Sequence, residues 1–149
     1  MIEASEWIAV WAGGLFAGAA LYVTLVEHPA RMQCGAELAV AEFGPSYRRA
    51  ALLQSLLAVA GTLAGAAAGL SIRSASWLTG SLLLFLSVPF TLIVIFPTNH
   101  KLLDPALDRS SPEAQRLLVR WGRLHAVRTV LGLGAFVVFV LAVHRSHAG

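Results

Sequence analysis

The chain has 149 residues, 57% of them hydrophobic and 13% charged, with a net charge of +3 and a mean hydropathy of +0.71. A soluble domain carries about 25% charged residues, so an ordinary water-soluble enzyme is excluded, and four apolar runs leave no length for a second, soluble domain. The pI of 9.8 does not point to nucleic acid, because the basic residues border the apolar runs and form no basic domain of their own.

The runs are residues 7–26, 50–72, 77–96 and 124–143. A bilayer core of roughly 30 Å needs about 20 apolar residues in a helix. The sequence therefore predicts an all-α, integral membrane four-helix bundle, a single transmembrane domain over residues 1–149. The N-terminus carries Glu3 and Glu6 and no basic residue, unlike a secretory signal, so the first span is expected to be retained. Ser5 is the expected N-cap of the first helix, which should end near Glu27, before Pro29. A loop over residues 30–47 should follow, with a short surface helix at 37–43 and a restart at Gly44-Pro45-Ser46. The second helix carries Gly61, Gly65 and Gly69 on one face. Small residues at intervals of four let helices approach closely in lipid, here within the bundle or in a homo-oligomer. Residues 71–76 make a tight connection. Pro89 should kink the third helix, and Pro97 should stop it. After a polar loop, Ser111-Pro112-Glu113 reads as an N-cap with Pro at the first helical position.

The first and third connections, with the segment leading into the fourth span, hold eight basic residues: Arg31, Arg48, Arg49, Lys101, Arg109, Arg116, Arg120 and Arg123. The other side holds Arg73 and Arg145. By the positive-inside rule both termini face outward and the long loops face the cytoplasm. The polar residues cluster at that same end. Glu27 and His28 close the first span, Tyr47 and Gln54 lie on the second, and Asn99 follows the third. Trp121, His125 and Arg128 share a face of the fourth at spacings of four and three.

Arg128 lies inside its span, where a guanidinium costs about 2.5–3.5 kcal/mol unless it is paired or reaches the interface. Glu27 is the expected counter-charge. His28, His125 and Glu27 together have the ligand chemistry for iron, copper or zinc. A hydrogen-bonded His/Glu/Arg network that binds an acidic or phenolic molecule is the other reading of the same residues. The chain carries no flavin or nicotinamide fingerprint.

Four segments in this order, Glu27-His28-Pro29, Phe43-Gly44-Pro45-Ser46-Tyr47, Pro97-Thr98-Asn99 and Trp121 through Arg128, resemble the anthrone oxygenase-like family of small four-helix membrane proteins. Members with an assigned role oxidise anthrones to anthraquinones. The resemblance implies a membrane oxygenase acting on an aromatic or phenolic substrate in a cytoplasm-facing pocket. Asn99, Trp121, His125 and Arg128 match the family's polar positions, and Glu27 and His28 are carried with them. In that reading His125 or Glu27 is the general base, and Arg128 and Asn99 stabilise an oxyanion. Tyr47, Gln54 and Trp121 contact substrate. A bound metal or the substrate's own carbanion would meet oxygen. The alternatives are a non-enzymatic binding or accessory protein and a structural subunit whose polar network fixes helix register.

Overall fold

The computed structural model describes residues 2–147. Six α-helices form four rods: α1 (Ile2–Tyr22) with α2 (His28–Gln33), α3 (Ala36–Ser71), α4 (Ala75–Phe90) with α5 (Phe96–Leu102), and α6 (Pro112–His147). Each rod is long and apolar enough to cross a membrane, and no strand occurs among the described residues. The bundle is inside out relative to a soluble protein. Trp11, Leu63, Ile93 and Val130, one from each rod, are 65–73% exposed, as side chains facing acyl chains should be. The chain is a multi-pass membrane protein. Each rod packs against its sequence neighbours, and α6 closes the ring against α1.

The rods approach closely because aromatic side chains enter sockets made by glycine. Phe139 of α6 is fully buried. A Cβ added at Gly13 of α1, Gly65 of α3 or Gly80 of α4 would come within 3.0, 2.7 or 2.6 Å of its ring. Three rods thus leave room for one phenylalanine from the fourth. Gly132 receives Phe16 in the same way, at 2.7 Å. Gly61 and Gly69 face Leu84 and Leu78, so the glycine face of α3 packs inside the bundle.

The rods run further than the prolines suggest. The first helix was expected to stop before Pro29 and the third at Pro97. Instead, a π-helical turn at Val23–Glu27 precedes Pro29, and another at Thr91–Ile95 precedes Pro97. Proline lacks a donor and its ring crowds the carbonyl four residues back. Those carbonyls belong to Leu25 and Ile93, each inside a π turn, where the widened winding accommodates the ring. The helices then continue to Gln33 and Leu102. The expected loop over 30–47 shrinks to Cys34 and Gly35, with Gly35 at φ 86°, a conformation glycine adopts without penalty. Helix α3 starts at Ala36 and passes through Pro45 without restarting. An ion-pair cluster holds it there. Arg31 of α2 pairs with Glu27 and lies 2.8 Å from Glu42, while Ser46 donates to Glu27 at 2.6 Å. Two residues of α3 flanking Pro45 are therefore tied to one guanidinium.

Other differences are local. Ser5 lies inside α1, which starts at Ile2, and its hydroxyl donates to the Ile2 carbonyl at 2.8 Å. The connection between α3 and α4 is Ile72–Ser74. Ser111 accepts from the Ala114 N–H at 3.2 Å, capping α6 as expected. In the preceding loop, the Ser110 hydroxyl and N–H both donate to Asp108 and draw its carboxyl below the usual range.

The glycine sockets give a direct test. A leucine at Gly65 must displace Phe139 and Ser81, and overpacking of this kind costs about 1–3 kcal/mol. Gly65→Leu is expected to melt several degrees below wild type in detergent. An unchanged melting temperature would mean that this face of α3 does not pack against α4 and α6.

Candidate functional site

All four rods contribute to one cavity of about 40 Å³. The first supplies Val23, Glu27 and Arg31, and α3 supplies Phe43, Tyr47 and Gln54. The third supplies Thr91, Ile95 and Asn99, and α6 supplies Trp121, His125 and Arg128. The two π turns lie on opposite sides of it. Val23 and Glu27 bound one turn, Thr91 and Ile95 the other, and all four line the cavity. Asn99 follows the second π turn on the continued helix α5 and lies on the cavity wall.

Trp121 organises one wall. Its indole N–H donates to Asn99 Oδ1 at 2.8 Å. An indole nitrogen only donates, so Asn99 presents its carbonyl to Trp121 and keeps its NH2 for the cavity. The His125 ring stacks on Trp121 with centroids 4.8 Å apart and planes 25° apart. Trp121 and Phe43 also meet at right angles, with centroids 5.3 Å apart. His125 Nδ1 lies 3.0 Å from Thr24 Oγ1, and Thr24 Oγ1 lies 2.8 Å from Thr129 Oγ1. Asn99, Gln54 and His125 are 1–4% exposed, so these groups are out of bulk water.

Arg128 is the anomaly. The expected ion pair with Glu27 does not form, because Arg31 stands one turn from Glu27 on a continuous helix and takes its carboxylate. Among the described residues no carboxylate lies within ion-pair distance of Arg128. Its guanidinium sits over the Phe16 ring, 4.9 Å from the centroid, and its Nε is buried without a hydrogen-bond partner. Gln54 Oε1 is likewise buried and without a partner.

His28 falls outside the cavity. Its ring packs against Trp121 at 5.1 Å and against Gly122, where an added Cβ would lie 2.5 Å from Nε2. The expected metal set of His28, His125 and Glu27 is therefore not assembled. Trp121 packs against both histidines, and Glu27 is engaged by Arg31 and Ser46. No group of three or more His, Cys, Asp or Glu among the described residues has the arrangement to hold a metal ion. The residues that sequence reasoning missed are Arg31, Ser46, Thr24 and Thr129. Arg31 was legible from its spacing of four to Glu27, had the helix been carried through Pro29. Thr129 follows His125 by four, and Thr24 is an isolated hydroxyl in an apolar run.

The anthrone oxygenase family model matches residues 43–138. That range contains Tyr47, Gln54, Asn99, Trp121, His125 and Arg128, and it excludes Thr24, Glu27 and Arg31. The anthrone oxygenase tpcL of Aspergillus fumigatus is 48% identical over 50 residues, 31% of this chain and 30% of that protein. The chain thus matches less than a third of that relative's length. No solved structure matches. With more than half of its length under the family model, including nine polar or aromatic residues of the cavity wall, the chain belongs to the anthrone oxygenase family.

Proposed function

We propose that the protein is a membrane oxygenase that binds an anthrone-like phenolic substrate as its anion and directs oxygen to the resulting carbanion. The observation that carries this reading is Arg128, a half-buried cation on the cavity wall whose Nε is fully buried and which has no carboxylate partner, in the same cavity as His125. Desolvating an ion costs several kcal/mol. A cation–π contact returns only about 2 kcal/mol. An anionic ligand supplies the missing counter-charge. Gln54 Oε1 offers an acceptor to a phenolic hydroxyl, and the Asn99 NH2 offers donors to an enolate oxygen.

The chemistry balances without a cofactor. His125 takes a proton from the methylene opposite the anthrone carbonyl, and the charge moves onto that carbonyl oxygen, beside Arg128 and Asn99. Dioxygen adds to the carbanion carbon and forms a C–O bond, giving a peroxide anion. The peroxide takes the proton back from His125. It then loses water as the second methylene hydrogen leaves as a proton and the O–O bond breaks. Anthrone and dioxygen become anthraquinone and water, with carbon oxidised and oxygen reduced. The Val23, Phe43 and Ile95 wall keeps bulk water from the carbanion.

At about 40 Å³ the cavity holds a few waters, so a three-ring substrate needs side chains to move. Tyr47 and Asn99 also line a second pocket of about 290 Å³ with Phe96, His100, Leu103, Asp104 and Pro105. Tyr47, half-buried between the two, is the side chain whose rotation joins them. The way in thus lies at the end of the bundle with the long polar loop. We place that end in the cytoplasm and both termini outside. Arg31 is buried in its ion pairs, but Arg48, Arg49, Lys101, Arg109, Arg116, Arg120 and Arg123 still outnumber Arg73 and Arg145.

Two measurements test these readings. Oxygen uptake by purified protein with a hydroxyanthrone should exceed the uncatalysed rate, and His125→Ala should reduce it to background while leaving the melting temperature near wild type. Uptake unchanged in His125→Ala would remove the base from the mechanism, and binding without uptake would leave a binding protein. For orientation, single cysteines introduced at Ser110 and at Ser74 in a Cys34→Ser background should react with an impermeant maleimide from opposite sides. Labelling of Ser110→Cys from outside intact cells would invert the topology.

A further inference from the structure

The hydroxyl groups of Thr24 and Thr129 determine which nitrogen of His125 carries the proton. Thr129 Oγ1 lies 3.2 Å from the Ala20 carbonyl and 3.1 Å from the His125 carbonyl. Carbonyl oxygens only accept, so the single hydroxyl proton of Thr129 is directed at them. Its oxygen is then an acceptor toward Thr24 Oγ1, 2.8 Å away, and Thr24 must donate in that pair. The one proton of Thr24 is thereby committed. The remaining contact, Thr24 Oγ1 to His125 Nδ1 at 3.0 Å, is satisfied only if the ring donates. The reverse chain would set Thr129 Oγ1 against two carbonyl oxygens, at 3.2 and 3.1 Å, with no proton between them, a repulsive contact of acceptors.

We infer that Thr24 and Thr129 are positioning residues that lock neutral His125 in its Nδ1–H form, leaving the Nε2 lone pair for the cavity. This is the tautomer that free histidine in water disfavours. The device spans two rods, since Thr24 lies on the π turn that follows α1, and His125 and Thr129 on α6. Trp121, stacked on the ring, holds its plane while the threonines fix its proton. The inference deepens the proposed base role of His125 and rests on it for its catalytic consequence. The tautomer itself follows from the hydrogen bonds alone.

Long-range proton–nitrogen correlation spectra of ¹⁵N-histidine-labelled protein in nanodiscs report both ring nitrogens, with His125 assigned by His125→Gln. Wild type should show a protonated Nδ1 and an unprotonated Nε2. Thr24→Val, which keeps the shape and removes the hydroxyl, should shift the ring toward Nε2–H, and Thr24→Ser should restore Nδ1–H. Thr129→Val is the second variant should Thr24→Val fail to fold, with the same shift expected. If His125 carries oxygen chemistry, Thr24→Val should also lower kcat by about 10- to 100-fold with KM unchanged, the range seen when the hydrogen-bond partner that orients a metal-bound histidine is removed. A wild-type His125 protonated on Nε2, or a folded hydroxyl-deletion variant with unchanged ring shifts, would overturn the inference. An Nδ1–H ring in a protein that consumes no oxygen would overturn the proposed reaction and leave the tautomer lock standing.

Discussion

Two guanidiniums, Arg31 and Arg128, line one cavity with the Glu27 carboxylate near the polar end of this bundle, and the carboxylate goes to Arg31. Glu27 pairs with Arg31, which also reaches Glu42. Arg128 is left with the face of Phe16. The division follows from helix geometry. Arg31 is four residues from Glu27 on one continuous rod, so their pairing needs no second element to be placed correctly. The cluster docks α2 on α3 and carries α3 through Pro45. The same arrangement keeps a half-buried cation on the cavity wall without a carboxylate partner. Such a cation is costly in a bilayer and marks a functional site by default. We read it as a place kept for an anionic ligand.

The prolines matter to this arrangement as much as the charges do. Pro29 and Pro97 each follow a π turn by two residues, and the turns flank the cavity. Thr24 lies on the first turn and stands beside both His125 and Thr129. Asn99 follows the second and accepts from the Trp121 indole. Two features that read as helix ends are instead the devices that bend two rods around a site and continue them past it. Away from the two turns, Phe139 fills a socket made by glycines of the other three rods.

Much of this was legible in the residues. The apolar runs set the number of helices, Gly61, Gly65 and Gly69 marked a packing face, and the spacing of Trp121, His125 and Arg128 put them on one side of α6. Tyr47, Gln54, Asn99 and Glu27 share their cavity. Three things were not legible. Proline was read as a terminator, because helix propensity does not distinguish a stop from a π turn that absorbs it. Glu27 was assigned to Arg128, because a partner on the same helix is invisible once that helix is ended too early. His28 was grouped with His125, because depth along the bundle does not say whether a ring will line the cavity. The third error removed the metal set, since a ligand group needs convergence as well as donor chemistry.

The central claim is that the cavity favours the anionic form of a phenolic ring system through Arg128. A hydroxyanthraquinone tests it without turnover, because its neutral and phenolate forms absorb at different visible wavelengths. Titrating protein into such a dye below its solution pKa should bring up the phenolate band in wild type. Arg128→Gln, still folded because Glu27 keeps Arg31, should bind the dye in its neutral form or not at all. A dye that binds wild type as the neutral phenol, or a phenolate band of equal size in Arg128→Gln, would contradict the account.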